Sequence, residues 1–223
     1  MGADGLRVHV VARSASPRGV SMDEIAAAAG VGKGTLFRRF GDRTGLIRAV
    51  YEARIEPLRQ AVAEGPAPLG PAAAPRVRVP ALLDALLCFK LDHRHLSLAL
   101  EEAGSGSPYQ AEHYAWWHGI LRDMLERLWG AGAGAGAGAG EGEDEDEDEG
   151  DGEGAGDGEG AGEAGAGKAG AAPDGDFAAH VLLAATRADL VEHLAGEDGV
   201  TRERMRAQLA AFVGRVLGEE RTA

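Results

Sequence analysis

The chain has one cysteine, Cys88. A lone thiol permits no internal disulfide and no cysteine-based zinc site, and it points to a reducing, cytoplasmic setting. Aromatic residues are scarce at 5%, so any core must be built from Leu, Val, Ile and Ala. No window approaches the ~18 consecutive apolar residues that a membrane-spanning helix requires. The opening MGADGLRVHVVARSASPRG holds a short apolar patch, but Arg7, His9 and Arg13 interrupt or flank it, unlike a signal peptide. No membrane partner is expected. Catalytic constellations are also missing. There is no nucleophile–base pair or paired-carboxylate site, and Gly32-Lys33-Gly34-Thr35 lacks the spacing of a phosphate loop. The expectation is a non-enzyme without a cofactor. His93 and His95 lie two residues apart, His113 and His118 five, and neither spacing puts a histidine pair on one helix face. No metal site is expected.

Glycine, by contrast, is concentrated. Residues 130–172 hold 17 of the 35 glycines, and residues 141–163 carry 13 carboxylates without one Lys or Arg. That run accounts for the whole net charge of −13, because the remaining 200 residues balance at 23 against 23. Alternating Gly and Ala cannot sustain a helix, and a self-repelling acidic run has nothing to bury. Residues 130–172 therefore read as a disordered low-complexity insert, and the acidic pI says nothing against a nucleic-acid partner.

The foldable remainder reads as all-α, with no strand alternation of any length. Residues 1–20 are poorly patterned. Ser21-Met22-Asp23-Glu24 forms a capping box, which predicts a short helix to Ala29 that Gly30 ends. A second short helix is expected from Gly32 or Lys33 to Phe40, and a longer one from Thr44 to Ala63 across Pro57. Proline-rich residues 65–80 read as a connector, with Pro80 in the first turn of a helix through ALLDALLCFKLDHRH. A further helix runs from Ser107-Pro108 to Trp129, another over Asp176–Leu194, and Thr201 caps the last. The organisation that follows is an atypical N-terminal segment (1–20), a head with its linking helix (21–63, helix-turn-helix 21–40), a helical body (64–129), the insert (130–172), and a second body part with a dimer interface (173–223).

The head carries the strongest functional signal. A helix, a tight turn and a second helix can place that second helix in a major groove. Lys33, Arg38, Arg39, Arg43 and Arg48 against Asp42 give +4 across sixteen residues, enough to neutralise phosphates and release counterions. Gly32 and Gly34 leave the helix start bare for close backbone approach.

The stretch IAAAAGVGKGTLFRRFGDRTGLI resembles the DNA-binding signature of the TetR/AcrR family of bacterial transcriptional regulators. The resemblance spans about 30 residues, and the rest of the chain matches the family in architecture. It implies DNA contacts from Lys33, Gly34, Thr35, Phe37, Arg38, Arg39 and Arg43. Phe37 stands where the family usually has a tyrosine whose hydroxyl bonds a phosphate, and Gly32 replaces the usual serine cap. The family also places an amphipathic helix before this motif, which residues 1–20 do not resemble. An upstream coding start or a frameshift would account for that.

In the body, Tyr109, His113, Trp116 and Trp117 lie in an aromatic-rich run that either packs the core or walls an apolar ligand pocket. Ala184, Ala185, Ala188, Leu209, Phe212, Val213 and Val216 lie where the family forms its dimer. The expected function is a homodimeric, ligand-responsive transcriptional regulator, a repressor of a pseudo-palindromic operator with an apolar effector. The alternative is a DNA-incompetent small-molecule-binding or interaction protein derived by loss of the first helix.

Overall fold

A computed structural model describes residues 21–103, 112–134 and 174–218. The expected atypical segment 1–20, residues 135–172 of the insert, and Tyr109 lie outside the described residues. Among the described residues every regular element is helical.

Helix α1 (Met22–Ala29) opens on the expected capping box. The Glu24 amide donates to Ser21 Oγ at 3.2 Å, and the Ser21 amide donates to Glu24 Oε2 at 2.7 Å. The Ser21 amide, and then the Ser21 hydroxyl donating to Glu24 Oε2 at 2.8 Å, hold the Glu24 carboxyl below its ordinary pKa. Gly30 closes the helix at φ +66°, a left-handed conformation that glycine adopts without penalty, and the Val31 amide bonds back to the Ala26 carbonyl at 3.0 Å. Helix α2 (Lys33–Phe40) starts from Gly32 without any side-chain cap. Asp42 caps α3 (Arg43–Glu64), accepting from the Gly45 amide at 2.7 Å. A Cβ at Gly45 would run into the Phe40 carbonyl, so this corner requires glycine. Met22, Ile25, Ala26, Leu36, Leu46, Ile47 and Val50 are all buried and join the three helices. Helix α3 passes through Pro57. That residue is exposed, so water can serve the carbonyl its missing amide leaves unbonded.

The connector is shorter than the sequence suggested. Helix α4 spans Pro75–Asp92, with Pro75 rather than Pro80 in its first turn. Buried Arg78 explains the earlier start. Its guanidinium donates to the Leu69 carbonyl at 2.7 Å and to the Val62 carbonyl at 2.6 Å, fastening α4 to the end of α3 and to the connector. Helices α5 (Arg94–Ala103) and α6 (Glu112–Gly134) follow. Helix α6 continues past Trp129 to Gly134, five residues into the stretch expected to lack structure.

The single helix expected over Asp176–Leu194 is broken. Helix α7 (Gly175–Ala184) ends before Thr186, and α8 (Ala188–Glu192) starts afresh and runs into a π-helical turn, His193–Glu197. Glu101 of α5 makes the break possible. Its carboxylate accepts from the Ala188 amide at 2.9 Å and the Asp189 amide at 3.3 Å, supplying an N-cap from a distant part of the chain. The same carboxylate pairs with Lys90 of α4 at 2.9 Å, both groups largely out of water. Helix α9 (Arg202–Val216) carries its expected Thr201 cap. Two arginine–carboxylate pairs bind α9 to α4: Arg206 to Asp84 at 2.7 Å for both nitrogens, and Arg202 to Asp92 at 2.6 and 3.3 Å.

The core runs without interruption from the head into the body. Helix α3 packs on α5, α4 on α6 and α9, and α6 along α7. Val62, Val79, Leu82, Leu83, Leu121, Met124, Leu125, Ala179 and Leu182 have no more than trace exposure. Full burial of each large side chain among them stabilises the fold by about 1.5–3 kcal/mol.

Candidate nucleic-acid interface

Helix α2 is two turns long, and its residues divide into two sets. Leu36 is buried and Phe40 half-buried against the core. Lys33, Gly34, Thr35, Phe37, Arg38 and Arg39 are all exposed. The head therefore spends one narrow stripe of α2 on packing and presents the rest of the helix to solvent. Arg43, at the start of α3, is half-buried, and Arg48 one turn further is exposed. All seven residues expected to contact DNA thus lie on α2 or at the head of α3, and six of them are open. Arg48 adds a cation that the sequence reading counted in the charge but did not place among the contacts.

Local contacts organise this surface. Lys33 Nζ donates to Asp23 Oδ2 of α1 at 2.8 Å, across the turn, with both side chains more than half exposed. Such exposed pairs are worth about 0–1 kcal/mol, little enough to be exchanged for a phosphate. The Lys33 ammonium lies 5.9 Å from the Phe37 ring centroid, and the Arg39 guanidinium 5.6 Å from that of Phe40. Phe37, at 41% exposure, is a large apolar side chain that the fold leaves open. A Cβ at Gly34 would meet nothing within 4 Å. Packing within the chain thus does not require glycine there.

The residues expected to wall a ligand pocket do not share one face. Trp117 is buried in the core. Trp116 stacks edge-on to it at 4.5 Å and lies under the Arg59 guanidinium of α3 at 4.9 Å. His113 faces Tyr51 of α3 at 5.9 Å. Burial and the nearby Lys90 hold the His113 pKa below the ordinary histidine value. Tyr51 contacts Phe89 edge-to-face at 5.4 Å, and burial raises its phenol pKa. Burial would lower the pKa of Lys90, but Tyr51 and Glu101 beside it hold it above the ordinary lysine value. The result is a charged and aromatic cluster between α3, α4, α5 and α6.

The residues expected at a dimer interface also separate. Ala188, Leu209 and Val213 are buried within their own chain, while Phe212 remains exposed at 38%. The fold adds Phe177, at 66% exposure, and Val181 on α7 to the open apolar side chains. Another constellation went unread. Asp176 and His180, four apart on α7, meet His118 of α6. Considering histidine pairs alone passed over the Asp-His spacing that signals it.

Residues 12–50 match the family model described as "Bacterial regulatory proteins, tetR family", a match that begins nine residues before Ser21. Among curated proteins, none matches the chain. A solved structure described as that of a candidate TetR-family transcriptional regulator from Rhodococcus sp. is similar over 96% of both chains, with a TM-score of 0.55 and 18% identity. That likeness concerns the fold. No described helix is long and apolar enough to cross a membrane. The sequence of the head, from before α1 into α3, is thus similar to that of the TetR family of bacterial regulatory proteins, and the described helices share the fold of that solved structure.

Proposed function

We propose that the protein is a homodimeric, ligand-responsive repressor that seats α2 of each copy in successive major grooves of a pseudo-palindromic operator. The observation that carries this reading is the exposure of Lys33, Gly34, Thr35, Phe37, Arg38 and Arg39 on one short helix held by a buried Leu36. Cations supply affinity through counterion release, and a helix that is bare on most of its circumference can approach base edges.

Open apolar side chains on α7 and α9 support pairing of two copies. Phe177, Val181 and Phe212 are large side chains without cover in a single chain. Covering each would contribute up to about 1.5–3 kcal/mol, and a two-fold axis is what a paired helix-turn-helix site needs. The Tyr51, His113 and Trp116 cluster links α3, which leaves the head, to α4 and α6 of the body. An apolar effector lodged there acts only if it binds one spacing of the heads better than the other.

Footprinting of the neighbouring intergenic DNA with purified protein tests the reading, repeated with Arg38→Ala and Lys33→Ala. Protection of two half-sites one helical turn or a multiple apart, weakened in both variants, is the expected result. A folded protein that protects no segment at any salt concentration would contradict it and leave the small-molecule-binding alternative.

A further inference from the structure

Helices α6 and α7 meet at a point where three potential metal ligands converge. Gly175 brings them together. It lies against α6 so closely that a Cβ there would stand 2.9 Å from Glu126 Cγ and 3.6 Å from the Arg122 carbonyl. Asp174 caps α7 by accepting from the Asp176 amide at 3.0 Å, which fixes Asp176 in the first turn. His180 follows one turn later on the same face, and His118 stands opposite on α6. The nearest ligand atoms of His118, Asp176 and His180 all lie within 4.8 Å of one another.

The separations are informative. His118 Nε2 is 3.5 Å from Asp176 Oδ1, and His180 Nε2 is 3.8 Å from Asp176 Oδ2. Both exceed good hydrogen-bond distances. The first is close to the edge of a tetrahedron with bonds of ~2.0–2.1 Å, about 3.3 Å, and the second runs to the other oxygen of the same carboxylate. The two imidazole centroids are 4.0 Å apart, so the rings approach side by side from different helices. His180 is also oriented from behind, since its Nδ1 lies 2.6 Å from the Tyr114 hydroxyl. With Nδ1–H donating to that oxygen, Nε2 keeps its lone pair for a metal, as an outer-shell partner to a liganding histidine does. His118 Nε2 contacts the Asp176 carbonyl at 3.2 Å, a contact it would exchange for the ion.

We propose that His118, Asp176 and His180 bind one divalent transition-metal ion of the zinc class, with Tyr114 as a positioning residue. Two imidazoles and one carboxylate suit zinc. The ion clasps α6 to α7 between groups 58 positions apart in the sequence, and a cross-link over so long a stretch of chain stabilises the folded state.

The test uses the full-length protein stripped with a chelator and titrated with Zn(II) in competition with a chromogenic chelator, and separately with Co(II). One ion per chain should bind, with the intense visible absorption of four-coordinate cobalt, and it should raise the melting temperature. His118→Ala and Asp176→Asn should each weaken binding at least tenfold and abolish the cobalt band, and Tyr114→Phe should weaken it about tenfold. His193→Ala, which removes a separate ion pair with Glu197, should change nothing. His180→Gln, at a half-exposed position, is the second variant should His118→Ala fail to fold. Zinc affinity and cobalt spectrum unchanged in His180→Gln, or absence of stoichiometric binding to the native protein, would overturn the proposal.

Discussion

Lys33 of α2 holds Asp23 of α1 at 2.8 Å across the turn, so one of the cations on the helix proposed to meet DNA is already engaged within the head. A phosphate approaching Lys33 must displace this carboxylate or share the ammonium with it. Asp23→Asn should therefore strengthen non-specific duplex binding a few-fold at low salt. Lys33→Ala should weaken it across all sequences and reduce the slope of log K against log salt by about 1. Anisotropy titrations over a salt series measure both, and equal slopes for Lys33→Ala and the native protein would remove Lys33 from the interface.

Gly34 separates the needs of the fold from those of the interface. Its added Cβ would meet nothing, so Gly34→Ala should leave the head intact and stabilise α2 by up to about 1 kcal/mol. The same methyl group would stand on the exposed side of the helix proposed to enter DNA, and it should lower duplex affinity severalfold. Urea unfolding and DNA titration of one sample check the two effects. Stabilisation without loss of affinity would place Gly34 away from the duplex.

The head was legible because its signals are local. The Ser21–Glu24 box and Gly30 each act within a few residues, and each stands where the sequence put it. The start of α4 was misread because Pro75 and Pro80 are both compatible with a first turn. The bonds that choose Pro75 come from Arg78 to Leu69 and Val62. The break between α7 and α8 has no local glycine or proline to announce it, since its cap, Glu101, lies 87 residues away. Among the site residues, the placing of Lys33 to Arg39 on one short helix was legible, while their exposure comes from the burial of Leu36 and the half-burial of Phe40. The aromatic run on α6 could not be divided between its faces until the positions of α3 and α7 were known.

Glu101 pairs with Lys90 at 2.9 Å and with Arg187 at 3.7 Å, and it caps α8. Glu101→Ala would leave a buried ammonium without its carboxylate, with Tyr51 beside it, and two helix-start amides without this acceptor. The expected cost is about 3–5 kcal/mol, read from urea unfolding. A loss below about 1 kcal/mol, typical of exposed pairs, would show that this carboxylate holds neither helix.

His113 should make stability depend on pH. Burial, then Lys90, lowers its pKa in the fold, so the unfolded chain takes up the proton first as pH falls below about 6.5. The stabilisation from a neutral His113 is complete above that value and is lost as pH drops through the lowered folded value. His93, also shifted down by burial and by Arg54, acts in the same direction. His113→Gln should therefore flatten, without abolishing, the fall in unfolding free energy between about pH 7 and pH 5. Urea midpoints across that range decide it, and an undiminished pH slope in the variant would contradict the assignment.

The central claim is that α2 enters a DNA groove with Arg38 as an exposed contact that has no part in the core. The most direct measurement is the affinity of the full-length protein for a duplex from its own intergenic region, against that of Arg38→Ala, at several salt concentrations. The account predicts tight, salt-sensitive binding by the native protein, a loss of about 1–3 kcal/mol for Arg38→Ala, and identical melting temperatures. Equal affinity of the two proteins, or no salt-sensitive binding by the native one, would contradict it.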